Sequence, residues 1–280
     1  FRSGKLIVTG NTADLDDRKF SYYMTGREFD NVKFTPAFQD GKTVLEVKNL
    51  TVPGAFSDVS FALRRGEILG ITGLLDSGRT ELALALFGLR RTSGGEVLKD
   101  GEAVQIRNPR DAIANGIGYV PEDRLSEGLF LPRAISDNVV ISEIDHLSNK
   151  LGVVDRKKRQ EEVERWVKEL AIATPNPDNA CSTLSGGNQQ RIVLAKWLAC
   201  NLDVLILNGP TVGVDIGSKH DIHAILQRLA GEGMAVIIIS DDLPDVQQKC
   251  SRLLVMKGGQ SVARLDPAEA DEALVLSHMM

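Results

Sequence analysis

The sequence lacks several features that would place the protein in a specialised class. No apolar run approaches the roughly 20 residues that cross a bilayer, so no membrane-spanning helix is predicted. Basic residues are not in excess, and the formal net charge of −5 argues against a nucleic-acid-binding protein, which normally presents a basic face. The three cysteines, Cys181, Cys200 and Cys250, form no CxxC or Cys/His cluster, so we expect neither a disulfide framework nor a zinc site.

The composition that remains is that of an ordinary globular protein. Hydrophobic residues make up 42% of the 280 residues and charged residues 25%. A chain of this length can hold one large domain, or one domain together with pieces of another. It begins at Phe1 without an initiator methionine, and we expect it to be a fragment of a longer protein.

Alternating strand and helix patterns indicate an α/β domain that begins near Val44. Val44–Val52 and Val59–Leu63 alternate as antiparallel edge strands do, and Ile68–Thr72 is apolar enough for a strand buried on both faces. Helices are predicted at Thr80–Phe87, Asp155–Leu170 and Arg191–Ala199. Further strands are predicted at Val204–Leu207, Val236–Ser240 and Leu253–Met256. This order favours a mainly parallel sheet.

The segment before this domain is less regular. Lys5–Thr9 predicts a short strand, and Phe20–Arg27 predicts a helix. Residues 29–41 have no clear period and contain Pro36 and Gly41, which is typical of a linker.

A glycine-containing loop, Gly73–Thr80 (GLLDSGRT), follows the buried strand and opens a helix. This is the setting that a phosphate-binding loop requires, because such a loop exposes successive N–H groups to phosphate oxygens. Thr80 offers a hydroxyl for Mg²⁺. Arg79 stands where lysine is expected; it keeps the charge, but its planar fork is not equivalent. A plain glycine turn between strand and helix remains the alternative at this point.

A second segment, Leu184–Gln190 (LSGGNQQ), precedes the helix predicted at Arg191–Ala199. Two glycines before a helix let the backbone come close to an anion, and the N–H groups of the first turn then point at it. By itself this motif is weak, because any helix entry can contain it. A buried strand, Val204–Leu207, follows the helix and ends in Asn208-Gly209.

In order and spacing, these three features resemble the ATPase domains of ABC transporters. The resemblance extends, over roughly residues 44–260, to the second cassette of the tandem ATP-binding subunits of bacterial sugar importers of the ribose, galactose and xylose type. The motifs that carry it are Gly66–Gly70, Gly118–Arg124, Leu184–Gln190 and Gly213–Asp215. Gly4–Val8 and Thr25–Phe29 resemble the end of the first cassette of such proteins.

The resemblance implies a fold and a division of the chain. The fold would be an α/β P-loop NTPase cassette with a mainly parallel core sheet, an antiparallel β subdomain and an inserted helical subdomain. Residues 1–29 would be the tail of a preceding cassette, 30–43 a linker, and 44–280 the nucleotide-binding domain, with its helical subdomain at about 125–196.

The resemblance also implies the ligands and the residues that bind them. ATP and Mg²⁺ are the expected cofactors, and the nucleotide would contact Gly73, Asp76, Ser77, Gly78, Arg79, Thr80 and Glu81. In this family two nucleotides bind between two cassettes. The signature residues would therefore act on the nucleotide of the partner cassette, and they are Leu184, Ser185, Gly186, Gly187 and Gln189. Gly213 and Asp215 would lie at the interface between the cassettes.

The family pattern is broken where hydrolysis needs it. Asn208 and Gly209 replace the Mg²⁺-holding aspartate and the water-polarising glutamate; asparagine is a weaker ligand, and glycine cannot accept a proton. Glu122 aligns with an expected glutamine and Asp241 with the switch histidine. We therefore predict no intact catalytic residue, and hydrolysis only together with the partner cassette. Glu122 either reflects drift in a silent half-site, which we favour, or holds Mg²⁺ with Thr80.

The expected partners are the first cassette of the same polypeptide, transmembrane permease subunits and, indirectly, a periplasmic or extracellular sugar-binding protein, but no nucleic acid. The protein would lie peripherally on the cytoplasmic face of the bacterial inner membrane. Leu129, Phe130 and Leu131 would contact the permease or pack in the core. Phe56 is the nearby aromatic that could stack on adenine, but its imperfect register argues against that role. A non-hydrolysing regulatory nucleotide-binding module and a cassette of a nucleoside importer remain alternatives. A soluble ABC protein acting on ribosomes or DNA is disfavoured by the acidic balance.

Overall fold

The computed structural model describes residues 4–11, 14–28 and 41–280, which form strands and helices in alternation. The strands are β1 Thr43–Val52, β2 Phe56–Arg64, β3 Ile68–Gly73, β4 Gly94–Lys99, β5 Glu102–Val104, β6 Ile117–Val120, β7 Val204–Asn208, β8 Ala235–Ile239, β9 Arg252–Lys257 and β10 Gln260–Leu265. The helices are α1 Asp17–Thr25, α2 Arg79–Leu86, α3 Pro109–Ala114, α4 Ile135–Val140, α5 Arg156–Glu169, α6 Gly186–Leu198, α7 Ile216–Gly231, α8 Leu243–Lys249 and α9 Glu272–Met279.

A six-stranded sheet in the order β10-β9-β3-β8-β7-β6 forms the centre of the domain. Neighbouring strands from β9 to β6 are parallel, and β10 pairs with β9 in the antiparallel sense. Strands β3, β7 and β8 are buried along their whole length, which explains why their sequences are continuous apolar runs without alternation. The predicted parallel core sheet is confirmed.

A second sheet is antiparallel, with the order β2-β1-β4-β5. Burial along β1 and β2 largely alternates, as expected for strands with one face on the core. The two sheets meet where Ser57 donates its backbone N–H to the carbonyl of Gly259 at 2.8 Å. The predicted antiparallel β subdomain is thus present.

Helices α4, α5 and most of α6 fall in the segment predicted as a helical subdomain. The apolar stripe predicted on α5 faces inward: Val163, Trp166 and Leu170 are all buried, while the remainder of the helix is strongly charged. Phe87, after α2, packs its ring edge-on against Trp197 of α6 with 5.3 Å between centroids. Among the described residues, no helix is both long enough and apolar enough to cross a membrane.

The amino-terminal segment differs from its prediction in two ways. Helix α1 begins at Asp17 and ends at Thr25, earlier than predicted, because Asp16 accepts a hydrogen bond from the backbone of Lys19 as the N-cap, and Gly26 (φ 77°) ends the helix. Of the strand predicted at Lys5–Thr9, only Lys5 forms a β-bridge, and residues 6–9 are not in a strand. Leu6, for example, is 62% exposed, and no strand of the described residues forms a ladder with this segment. Most of the predicted linker, 30–43, lies outside the described residues.

Glu143, in a 3₁₀ turn after α4, is a buried carboxyl. It is 8% exposed, and its Oε1 has no hydrogen-bond partner among the described residues. Burial, and to a lesser degree the charge of Glu162, raises its pKa from 4.5 to about 7. Because the pKa is higher in the folded state than in the unfolded state, the carboxyl increasingly destabilises the fold as the pH rises from about 4.5 through 7.

We expect Glu143→Gln to raise the free energy of unfolding by about 1–3 kcal/mol near pH 8 and by much less near pH 5. Urea unfolding at the two pH values measures the difference. Glu161→Gln is the control, because Glu161 is an exposed carboxylate on α5 whose ion pair with Lys157 contributes little. An equal gain at both pH values would show that the ionisation of Glu143 is not the cause.

Candidate functional site

The predicted site residues come from separate strands that end at the same edge of the sheet. Gly73 ends β3, Asn208 ends β7, and Ser240 directly follows β8. These strands are parallel, so their carboxyl ends form one rim, which is the part of open α/β sheets where ligands bind.

The loop between β3 and α2 is held in a tight conformation that requires glycine at its ends. A Cβ on Gly73 would lie 2.4 Å from the carbonyl oxygen of Met256. Gly78, the N-cap of α2, has φ 88°, and a Cβ there would lie 2.7 Å from the carbonyl oxygen of Ala55. Between them, the backbone N–H of Ser77 turns back to the carbonyl of Leu74 at 3.0 Å. The loop thus leads directly into the first turn of α2.

Arg79, the first residue of α2, carries a buried charge at this loop. Its side chain is 9% exposed, and Nη2 lies 3.3 Å from Oδ2 of Asp241. Its Nη1 and the hydroxyl of Ser77 are buried without a hydrogen-bond partner in the described part of the chain. Unpaired buried donors are costly, and phosphate oxygens are strong acceptors for a guanidinium. The residues of the loop therefore fit a polyphosphate.

The remaining predicted nucleotide contacts surround this loop. Asp76 is exposed, and Thr80 and Glu81 are partly buried in the first turn of α2. A cavity of about 220 Å³ beside the loop is lined by Asp76, Gly78 and Glu81, and by the turn between β1 and β2. This cavity is small relative to a nucleotide, but it is open to the surface next to the loop.

Phe56 does not lie where it could stack on a base. It is 3% exposed, and its Cβ lies 3.1 Å from the position that a Cβ on Gly78 would take. Its ring belongs to the core, because β2 begins at this residue and directs it inward. This burial does not favour Phe56 as the residue that stacks on adenine, in agreement with its imperfect register in the sequence.

The structure closely accommodates the residues that replace the expected acidic pair. Asn208 is buried, and its Nδ2 donates to Oε2 of Glu122 at 3.4 Å. Gly209 has φ 58°, and a Cβ there would lie 2.8 Å from Cγ2 of Val212 and 3.2 Å from Cγ of Glu122. A side chain at position 209 would need both a strained backbone and displaced neighbours. No general base can occupy this position without local rearrangement.

Few side chains at this edge of the sheet could bind Mg²⁺. Among the described residues, no group of three or more His, Cys, Asp and Glu side chains could hold a metal ion. The carboxyl edge offers the hydroxyl of Thr80, the exposed carboxylate of Glu122 and the amide of Asn208, whose nitrogen already faces Glu122. Mg²⁺ commonly binds one or two carboxylates together with substrate phosphates, so these residues fit it only with a bound polyphosphate.

The LSGG segment forms the start of α6 at a different place. Ser185 is the N-cap, with an exposed side chain that accepts a hydrogen bond from Nδ2 of Asn188 at 3.0 Å and caps no backbone N–H. Gly186 and Gly187 are the first two helical residues rather than a turn before the helix, as the sequence had suggested. A Cβ on Gly187 would lie 2.0 Å from Oγ of Ser218, so the starts of α6 and α7 touch.

The other two predicted signature residues are turned inward. Leu184 packs partly against the core, and Gln189 is 8% exposed, with its Nε2 3.5 Å from the carbonyl oxygen of Cys181. Ser185 is therefore the side chain that this segment presents to solvent.

Sequence reasoning missed the role of Arg124. Its Nη1 donates to the carbonyl of Val212 at 2.6 Å and its Nη2 to that of Gly213 at 3.0 Å. A Cβ on Gly186 would lie 2.9 Å from the same Nη2. Arg124 thus joins the segment after β6, the loop after β7 and the start of α6. The Gly118–Arg124 motif contains it, but its spacing alone does not reveal these partners.

Gly213 and Asp215, predicted at the interface between cassettes, lie in this same cluster. Gly213 has φ 66°, and its carbonyl accepts a hydrogen bond from Nη2 of Arg124. Asp215 is exposed and is the N-cap of α7, accepting from the backbone N–H of Ser218 at 3.0 Å and from its hydroxyl at 2.7 Å. These hydrogen bonds from Ser218 lower the pKa of Asp215.

Solved structures share this fold. A nucleotide-free ATP-binding cassette from an ABC transporter matches with a TM-score of 0.71 at 22% identity, covering 84% of this chain and 95% of that one. The structure of cbiO1 from Clostridium perfringens, part of an ABC transporter complex, matches with a TM-score of 0.71 at 23% identity, covering 84% and 94%. These likenesses establish the ATP-binding cassette fold.

The family follows from the sequence. The family described as ABC transporter matches residues 56–212, which is more than half of the chain. The chain belongs to the ABC transporter family.

Relatives with curated names are similar over nearly the whole chain. It is 38% identical over 278 residues to the ribose import ATP-binding protein of Bacillus subtilis, covering 99% of this chain and 56% of that protein. It is 39% identical over 278 residues to a galactose/methyl galactoside import ATP-binding protein of Photobacterium profundum, again covering 99% and 56%. The chain therefore spans about half the length of the relatives that it matches.

Proposed function

We propose that the chain is the second, carboxyl-terminal cassette of the ATP-binding subunit of a sugar importer of the ribose, galactose and xylose type. The names of the two relatives support the class of cargo. The coverage of about half of each relative agrees with one cassette of two, and residues 1–29 resemble the end of a preceding cassette. We call this chain together with its first cassette the tandem protein.

The proposed partners are the first cassette, the permease on the membrane and, through the permease, a sugar-binding protein outside the cell. The tandem protein would lie on the cytoplasmic face of the membrane. In the segment considered for permease contact, Leu129 is buried and Leu131 packs partly on the core, whereas Phe130 is 59% exposed. Core packing thus accounts for the two leucines, and Phe130 is the proposed contact with the permease.

In the proposed mechanism, this chain supplies the signature motif to a nucleotide bound on the first cassette. The observation that carries this is the contrast between two regions: Ser185 stands exposed at the start of α6, while the chain's own acidic pair is replaced by Asn208 and Gly209. Ser185 and the first N–H groups of α6 would bind the γ-phosphate and stabilise charge on it during transfer. The base that activates water would come from the first cassette.

The chain's own loop would still bind ATP through the residues from Gly73 to Glu81. Mg²⁺, when present with the nucleotide, neutralises charge on the phosphates. Thr80 and Glu122 would be the residues that hold it. Since Glu122 already accepts from Asn208, we favour the view that these positions have drifted in a half-site that does not hydrolyse ATP.

Arg124→Ala is expected to lower the ATP turnover of the tandem protein about tenfold through misplacement of the signature segment. Arg124 is a positioning residue, since it holds Val212 and Gly213 beside Gly186. The loss should appear in kcat more than in KM, and Arg124→Lys should recover part of it. Arg133→Ala, at an exposed arginine in the same segment, is the control. Unchanged kcat in Arg124→Ala would contradict the positioning role.

The assignment to an importer is tested by co-purifying the tandem protein with a permease of this transporter type, and by measuring ATP turnover with loaded binding protein. Turnover stimulated by ribose, galactose or xylose supports a sugar importer. Stimulation by nucleosides alone favours the nucleoside importer. A tandem protein that binds nucleotide but never associates with a permease would be the regulatory module instead.

A further inference from the structure

Arg79 of the phosphate loop pairs with Asp241, the residue that follows Ser240. Both residues depart from the family pattern, Arg79 at the position of a lysine and Asp241 at that of the switch histidine. The guanidinium is almost completely buried, whereas the Asp241 carboxylate is 71% exposed, and 3.3 Å separate Nη2 from Oδ2. The backbone on both sides of Asp241 is held: Ser240 donates its N–H to the carbonyl of Ile71 at 3.2 Å, and Asp242 donates its N–H to Oγ of Ser240 at 3.0 Å. The backbone that carries the carboxylate is therefore fixed beside the loop.

The cation at the position of Arg79 reaches the β- and γ-phosphates in phosphate-binding loops. Here Asp241 pairs with one terminal nitrogen of the Arg79 guanidinium, Nη2. The other terminal nitrogen, Nη1, is buried without a hydrogen-bond partner in the described residues. One phosphate group can bind Nη1 while the pair stays intact. A further terminal phosphate would have to approach Nη2, where it meets the negative charge of Asp241.

Charge neutralisation by a metal is also weak at this place. Asn208 contributes no negative charge, and its amide nitrogen faces Glu122. Glu122 is then the carboxylate that would hold Mg²⁺, so the metal would offset the repulsion between a terminal phosphate and Asp241 less than it would with a second carboxylate at position 208.

We propose that Asp241 is a specificity-determining residue that takes the place of a terminal phosphate at Arg79, so that this site selects nucleoside diphosphates over triphosphates. The inference rests on the proposed role of residues 73–81 as a nucleotide site. It goes beyond that role, because it assigns which nucleotide the silent site holds.

Calorimetric titration of the 280-residue chain with ADP, and with the non-hydrolysable triphosphate adenylyl imidodiphosphate, tests the proposal. We expect the wild-type chain to bind ADP about threefold to tenfold more tightly, a modest factor because the opposing charge of Asp241 is largely exposed and screened. Asp241→Asn should strengthen binding of the triphosphate by a similar factor and change ADP binding much less. The preference should shrink as salt is raised.

Two further variants keep the result interpretable. Glu102→Gln removes one charge from an exposed residue of β5, on the edge of the other sheet, and should leave the preference unchanged. Asp241→Ser should reproduce the effect of Asp241→Asn, and thermal unfolding verifies that each variant is folded.

A wild-type preference for the triphosphate, an equal gain for both nucleotides in Asp241→Asn, or no binding of either nucleotide to any variant would each overturn the proposal. Failure of the composite-site function would look different. It would appear as normal turnover in a Ser185 variant of the tandem protein, whatever nucleotide this site prefers.

Discussion

Replacing Ser185 with alanine is expected to lower the ATP turnover of the tandem protein by about 100-fold or more. The reason is that a donor aimed at charge developing in a transition state typically contributes a factor of about 10²–10³. The fold should not change, because the Ser185 side chain is exposed and caps no backbone N–H of α6. The hydrogen bond that it accepts from Asn188 is local to the first turn of the helix.

The measurement is steady-state turnover of the tandem protein with its permease, for wild type and Ser185→Ala side by side. Ser182→Ala is the matched control, since Ser182 is also exposed and lies just before the signature segment. Nucleotide binding by this chain's own loop should be the same in all three proteins. Turnover by Ser185→Ala at the wild-type rate would remove the basis for the trans role.

Replacing the water-polarising glutamate of the first cassette by glutamine should have an equally large effect. Loss of a general base costs about 10²–10⁴ in rate, and no base stands at positions 208 and 209 of this chain to take over. Asn208 is neutral, Gly209 has no side chain, and Asp241 is already paired with Arg79. We therefore expect turnover in this variant to fall to about 1% or less of the unmutated rate.

Restoring the acidic pair in this chain should not rescue that variant. Asn208→Asp with Gly209→Glu would place a side chain at φ 58°, with its Cβ 2.8 Å from Cγ2 of Val212. The strain would displace either the new glutamate or the loop that Arg124 holds. Folding is verified by thermal unfolding. Recovery of turnover to near the unmutated rate would contradict this, because it would mean that the half-site lacks only the two acidic side chains and that its backbone can still position them.

Most of the fold could be predicted because the patterns are local. Buried parallel strands such as Ile68–Thr72 are continuous apolar runs, and the phosphate loop has glycines that its geometry requires at Gly73 and Gly78. Lys5–Thr9 shows the limit of this reasoning. Its composition suits a strand, but a strand exists only when another strand pairs with it, and local composition does not supply that partner.

The candidate site was less predictable because its contacts cross the chain. Spacing located Arg79 and Asp241 as separate departures from the family pattern, but their ion pair depends on α2 and the end of β8 meeting in space. The same holds for Arg124, whose partners follow β7. The burial of Phe56 depends likewise on contacts across the chain, since packing sets which face of β2 is buried.

The central claim is that this chain helps to hydrolyse a nucleotide that it does not itself cleave. The most direct test is to turn over a photoreactive ATP analogue on the tandem protein in the presence of vanadate, which traps the diphosphate product at sites that hydrolyse. After illumination, the labelled peptides are identified by mass spectrometry. The account predicts trapped label on the first cassette, and its loss when Ser185 of this chain is replaced. Vanadate-dependent label on residues 73–81 of this chain would contradict it.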